Sequence, residues 1–496
     1  MSLSQPLNPN KRGLGDLFRR FLFAKEPSPL RGIPAIPVNT NHIVDIHVHV
    51  SMKMYIWGKK FWKRHSPVWG DGFLSMLFPQ VDLYQLTSRQ VGVMIVAHDL
   101  PVGAMRRKFG FYSQIIRVLN WISDKMEHED FSNFTQINKI MNLFEEQVYI
   151  TNRKLGSETF VVARSYQEMI NARSMGKIVF IHSIEGSHAL GRNMPPSKDQ
   201  FARKRHRFHS PSLLGMTIGG TNQRYLENLV SLKNRGVCML TLAYLFENEL
   251  SDCVEGIAEY PKVNSFKYNW TYNPNNRTMN KGLSPLGVDI VNKMLEIGMI
   301  IDLTHSTAAT RRTVYQLNAL FAKKNPTIGL RPLTFSHCGS QALFNQYQIR
   351  TGVTRYNHHK YYAVSKSDIL AIEKSGGVIG IILENWWLTG VDPRLPEYVG
   401  WQLSGINCVL ETIYSINEQT LKKDFSCIAI GTDLDGFTDT PPDFYRYEHF
   451  GNLLLRMQNA NRFCTVTGQM VPIINKTSID KIFKGNALRM LKKGWV

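Results

Sequence analysis

Short apolar, β-branched runs recur along this 496-residue chain between longer stretches of helical periodicity, and that alternation restricts the fold more than any other feature. The runs lie at Ile43–His49, Val91–His98, Ile178–Glu185 and Val237–Tyr244, then at Met299–His305, Leu333–His337, Gly377–Leu383 and Ser426–Asp433. Near-continuous hydrophobicity is what a strand buried on both faces requires, and helices between such strands make them parallel. Eight strands so connected predict one (β/α)₈ TIM barrel, residues 41–496, behind an N-terminal extension and linker at 1–40. Predicted helices at Ser165–Arg173, Pro285–Ile297 and Ser367–Lys374 carry Ser or Pro start signals that support this order.

The ends of these runs are polar. In Ile43-Val-Asp-Ile-His-Val-His-Val50, Asp45, His47 and His49 alternate with apolar residues, so all three share one face of an extended strand. Two imidazoles at i and i+2 can grip one ion, although surface histidines on a half-exposed strand give the same pattern. Further metal-competent side chains at equivalent positions decide between the two readings: Glu185 ends the third run, His305 the fifth, His337 the sixth and Asp433 the eighth. Core burial selects apolar groups there, so their convergence on one barrel mouth predicts a metal site. Histidine nitrogens with carboxylates suit zinc, and a carboxylate such as Glu185 can bridge two ions. Asp433 is the candidate for proton transfer.

Composition narrows the class. Hydrophobic residues make up 43% and charged residues 20%, which describes a globular chain with a large core and excludes a disordered one. The net charge of +20 speaks to association and not to fold, and no specific nucleic-acid contact is expected. Six cysteines, at 238, 253, 338, 408, 427 and 464, show neither paired nor zinc-finger spacing and read as reduced thiols. With neither an apolar leader nor a membrane-length run, a soluble, cytoplasmic protein is expected. Lys11–Lys25 is basic and amphipathic, which suits weak contact with a membrane surface, though a short helix packed on the barrel is the favoured reading. Two stretches read as insertions after strand ends, Gly191–Gln223 with its basic Arg203–Arg207 cluster and Glu249–Lys281.

Several motifs in order carry a family likeness: Asp-Ile-His-Val-His at 45–49, Ser-Ile-Glu-Gly-Ser-His-Ala-Leu at 183–190, Leu-Thr-Leu-Ala-Tyr at 240–244 and Gly-Leu-Ser-Pro-Leu-Gly at 282–287. They continue with Ile-Asp-Leu-Thr-His-Ser at 301–306, Phe-Ser-His at 335–337, Gly-Thr-Asp-Leu-Asp-Gly-Phe at 431–437 and Gly-Asn-Ala-Leu-Arg at 485–489. From Ile43 onward the chain resembles the membrane (renal) dipeptidases, zinc metallopeptidases of the amidohydrolase group. The resemblance implies two Zn²⁺ ions, one on His47 and His49, the other on His305 and His337, with Glu185 bridging. It further implies a hydroxide activated between the ions that cleaves the amide bond of a small dipeptide, Asp433 handling the proton. Family members often form homodimers.

The chain departs from that pattern in three places. His49 stands where the family usually has Asp, which leaves the site more positive. Tyr244 stands at the fourth strand end in place of a His; a phenol there serves either as a hydrogen-bond donor to an oxyanion or as packing in the barrel mouth. The substrate carboxylate is assigned to an Arg after the sixth strand, for which Arg350 and Arg355 both offer themselves. His98, Asp99 and Asp435 read as structural, the last as a turn cap, His188 as a neighbour of the ligands, and His358-His359 as solvated. The reading is therefore a dipeptidase-like metallohydrolase. An amidohydrolase acting on another amide or a lactone is the alternative, and a non-enzymatic membrane- or nucleic-acid-binding scaffold is a third.

Overall fold

The computed structural model describes residues 43–63, 79–88, 91–99, 133–191, 221–244, 248, 250–251, 253–254, 282–351, 361–384, 387–388, 406–436, 440, 444, 446–458, 463–464, 469–470 and 474–496. The strands of its main sheet are β1 (Ile43–Val48), β2 (Val91–Asp99), β3 (Phe160–Ala163), β4 (Ile178–Glu185), β5 (Met239–Thr241), β6 (Ile300–Asp302), β7 (Leu333–Cys338), β8 (Val378–Ile381) and β9 (Ile428–Ile430), and Phe463–Cys464 and Gln469–Met470 form a separate antiparallel pair. The strands of the main sheet pair in parallel, in the order β2-β1-β9-β8-β7-β6-β5-β4-β3, and a further β2–β4 pairing closes the sheet. Eight of the nine strands form the barrel, as the sequence predicts. The ninth, β3, was not foreseen. It pairs with the first half of β4, from Phe160↔Ile178 to Ala163↔Ile181, on the edge that β5 takes over at Ser183–Glu185.

Two layers of apolar packing hold this sheet. One lies between strands and helices and includes Phe61, Phe144, Phe160 and Phe180, whose rings meet at centroid distances of 5.2–5.8 Å. The other takes Val44, Ile46, Val93, Ile95, Val179, Ile181, Met239 and Ile300 from the strands and is completed by Met490 and Leu491 of the C-terminal helix Asn486–Gly494 and by Trp495 at its C-cap. With the early strand residues packed in this way, polar side chains are left to the C-terminal strand ends.

The helices start where local chemistry tells them to. Ser165 caps Tyr166–Ser174 by accepting from the Glu168 N–H, and Ser284 caps Pro285–Ile297, which stops at the left-handed Gly298. The third predicted start shifts: Ser365 caps Lys366–Ser375 through a capping box with Asp368, and Ser367 falls inside the first turn. Cys238, Cys338 and Cys427 are free thiols, and all three are buried, as are Cys253 and Cys408. Among the described residues no helix is long and apolar enough to cross a membrane. The 1–40 extension with Lys11–Lys25, the Arg203–Arg207 cluster, Arg355 and His358-His359 lie outside the described residues, as does most of both predicted insertions.

Candidate metal centre

Each candidate group leaves the barrel at a strand's C-terminal end. His47 is the penultimate residue of β1, and His49 stands at the N-cap position of the following helix Val50–Trp57 without a side-chain capping bond. Glu185 is the final residue of β4, His337 lies in β7, and His305 and Asp433 stand three residues beyond β6 and β9. His305 (φ 65°) and Asp433 (φ 56°) are both left-handed, a conformation that side chains with a Cβ adopt at a cost of about 1 kcal/mol or more. The fold spends backbone strain where these two side chains are aimed.

The structure brings six of the predicted groups together. Glu185 Oε1 lies 3.1 Å from His305 Nε2, 3.5 Å from His337 Nε2 and 3.6 Å from His47 Nε2, while Oε2 lies 3.2 Å from His49 Nε2. The Nε2 atoms of His47 and His49 are 3.1 Å apart and those of His305 and His337 are 3.3 Å apart. Asp433 Oδ1 is 3.1 Å from His49 Nε2 and 3.6 Å from His47 Nε2. Three ligand-competent sets result: His47/His49/Glu185, Glu185/His305/His337 and His47/His337/Asp433. Asp45 is not among them. The pairing of β1 shifts register between Asp45 and Val48, and Asp45 is held by Thr432 and Tyr447 instead, so the three polar residues of the first motif do not act on one face.

The donors fit a metal. Facing Nε2 atoms 3.1 and 3.3 Å apart also match a shared metal, because tetrahedral coordination at about 2.05 Å separates ligand nitrogens by about 3.3 Å. Glu185 Oε2 is buried without a hydrogen-bond partner. Burial raises the Glu185 carboxyl, but the histidines around it, His49 first, outweigh burial and hold it well below the usual carboxylate range. Burial drives His47 down to about 3 against the pull of Glu185, and drives His337 well below its ordinary value, so both are neutral donors. Burial also lifts Asp433 to about 6, with His49 opposing, the range in which a carboxylate exchanges protons near neutral pH.

The surroundings differ from expectation in detail. Tyr244 is buried and donates its hydroxyl to Asp99 Oδ2 at 3.1 Å, with its ring stacked on His188. Trp387, which the sequence did not single out, stacks on His337 at 5.7 Å and on Tyr362 at 4.6 Å and meets His305 edge-on at 5.2 Å, forming an aromatic wall. Asp435 takes the buried Lys53 ammonium at 2.8 Å and the Gln80 N–H, partners remote in the chain that the turn-cap reading does not name. His98 bonds Ser51 and His182, and His182 reaches Glu145. Arg350 falls in the last turn of helix Gln341–Thr351.

Residues 194–494 match the sequence profile of the membrane dipeptidases, peptidase family M19, a span of more than half the chain. The chain belongs to the membrane dipeptidase family. Within this family member the matched span contains His305, His337 and Asp433, whereas His47, His49 and Glu185 precede it. A curated relative, an uncharacterized dipeptidase of Schizosaccharomyces pombe, is 25% identical over 205 residues, 40% of this chain. That match spans 41% of the relative's length. Among solved structures, the metallopeptidase dipeptidase AC of family M19 superposes with a TM-score of 0.57 at 14% identity, over 92% of this chain and 98% of that one. The probable dipeptidase PvdM of Pseudomonas aeruginosa gives 0.57 at 14% over 92% and 95%. A Rhodobacter sphaeroides metallopeptidase liganded with a phosphinate mimic of the dipeptide L-Ala-D-Ala gives 0.54 at 15% over 92% and 99%. These likenesses show the barrel.

Proposed function

We propose that this protein is a metal-dependent dipeptidase that hydrolyses the amide bond of small dipeptides with two zinc ions. The observation that carries the reading is the sharing of Glu185: one carboxylate oxygen faces His305 and His337, the other faces His49, and each pair of histidines converges within one ligand set. His47 and His49 would hold one ion, His305 and His337 the other, with Glu185 common to both. Metal held by these residues would supply Lewis acidity toward a water and an amide carbonyl. Asp433 accepts the proton of the attacking water and returns it to the departing amine. The wall of Trp387 and Tyr362 excludes bulk water beside His305 and His337. The dipeptide mimic bound by the Rhodobacter sphaeroides relative supports the substrate class, and a cytoplasmic location belongs to the same proposal.

Elemental analysis of purified protein, run with hydrolysis of a dipeptide panel before and after chelation, tests this. About two zincs per chain and chelator-sensitive cleavage are expected. Two metals with turnover of lactones or other amides, and none of dipeptides, would keep the hydrolase and reject the dipeptidase. A chain without metal would reject both.

A further inference from the structure

Asp99 is the charged neighbour of the centre that the reading above leaves unused. It ends β2, pairs in register with Glu185 of β4, and is 1% exposed. Its Oδ2 accepts the Tyr244 hydroxyl at 3.1 Å. Its Oδ1 makes no hydrogen bond and lies 3.5 Å from His49 Nδ1, which makes none either. The opposite nitrogen of the same ring, Nε2, faces Glu185 Oε2 at 3.2 Å. These two buried polar atoms have only each other to face, and burial without a partner is costly.

We propose that Asp99 is the positioning residue of His49: it accepts the Nδ1 proton, fixes the tautomer that leaves Nε2 as a lone-pair donor, and is itself held by Tyr244. An imidazole that coordinates through Nε2 must carry its proton on Nδ1, and a carboxylate behind the ring secures that proton and makes the ring a stronger donor. Asp99 also supplies charge. The two pairs of histidines are neutral as ligands, so Glu185 is the anion between them, and a buried carboxylate behind His49 offsets part of the excess positive charge of two divalent ions. Tyr244 then acts through Asp99, with its hydroxyl turned to the carboxylate. His49 and Asp99 form one unit, and exchange of either changes what the other must be. An Asp at 49 would set two buried carboxylates face to face, which like charges do not tolerate unless one gains a proton.

This inference rests on the metal-centre reading, and one titration separates the two. Full-length protein, stripped of metal, is titrated with Zn²⁺ against a chromophoric chelator as wild type, Asp99→Asn, His49→Asp and the double variant. Wild type is expected to take two ions. Asp99→Asn should weaken one ion by about 10- to 100-fold, the usual effect of losing such a partner, and leave the other unchanged. The Co²⁺-loaded absorption spectrum should change for one ion only. His49→Asp should bind more weakly than the double variant, in which an amide N–H faces the new carboxylate. Metal-free melting points within a few degrees of wild type show that the variants fold. If wild type binds two ions and Asp99→Asn binds both equally tightly, with no recovery in the double variant, Asp99 has no such role. A wild type that binds no zinc overturns the centre and this proposal with it.

Discussion

Thr432 closes the barrel seam onto Asp45, donating its N–H to Oδ1 at 3.0 Å and its hydroxyl to Oδ2 at 2.6 Å. The Tyr447 hydroxyl also donates to Oδ2, and the His47 N–H to Oδ1 at 3.1 Å. One buried carboxylate thus ties β1 to Thr432, two residues beyond β9, and sets the backbone of a candidate ligand. Asp45→Ala leaves these donors without an acceptor, at about 1–3 kcal/mol for each buried group left unsatisfied. A loss of about 4 kcal/mol or more in urea unfolding is expected, and about 1–2 kcal/mol for Asp45→Asn, which keeps one acceptor oxygen. An alanine variant within 1 kcal/mol of wild type, roughly the worth of a single hydrogen bond, would show that the seam does not depend on this residue.

Glu185 carries the link between the two histidine pairs, so a neutral amide there should be felt by both. Glu185→Gln keeps the volume and removes the charge. Under the proposed two-zinc reading, zinc content should fall from about two per chain to one or fewer, and dipeptide hydrolysis by about 100-fold or more, since ligand loss exceeds the 10- to 100-fold typical of outer partners. Unchanged far-ultraviolet dichroism would accompany the loss. Full metal content with full activity would remove Glu185 from the centre.

The strand-end groups were legible because a charged or imidazole side chain at the close of an apolar run has no reason to be there except to meet others. Eight such runs gave the barrel for the same reason. What the sequence hid depends on three-dimensional partners. β3 is only Phe160–Ala163, too short to stand out beside longer runs. Asp99 was read as structural because nothing in the chain tells which ring nitrogen of His49 it meets, and Asp45 was grouped with the histidines because a register shift in β1 is invisible to strict alternation. Trp387 comes from a segment with no periodic signal at all. Its place against His337 follows from closure of the barrel, not from local pattern.

Gly436 permits the close approach of Asp433 to His49. A Cβ at this position would stand 2.1 Å from Asp433 Oδ1 and 2.7 Å from His49 Cδ2. Gly436→Ala must therefore push the Asp433 carboxylate aside. If Asp433 moves the proton, kcat should fall by about 100-fold or more, as for removal of a general base, with zinc content largely kept. Asp433→Asn should match or exceed that loss. Kinetics and metal analysis on the same preparations decide: an alanine variant with wild-type kcat would show that the placement of Asp433 is not needed for turnover.

Buried histidines outside the centre give stability a pH dependence that can be isolated. His98 Nε2 and His182 Nδ1 share a hydrogen bond at 2.7 Å, and His182 Nε2 reaches Glu145 at 3.0 Å. Burial holds His98 well below the ordinary histidine range and lowers His182 as well, with Glu145 opposing in the second case. Both are therefore neutral in the folded protein when the unfolded chain, titrating near 6.5, has begun to take up protons. Their contribution is fully present above about 6.5 and is lost as pH falls below it, by up to about 1.4 kcal/mol per pH unit for each histidine. Urea unfolding of metal-free protein at pH 7.5, 6.5 and 5.5 should show the decline, and His182→Gln should make it shallower while lowering stability at pH 7.5. Groups of the centre are common to both proteins and cancel in the difference. Equal slopes for wild type and His182→Gln would mean that His182 takes up its proton without cost to the fold.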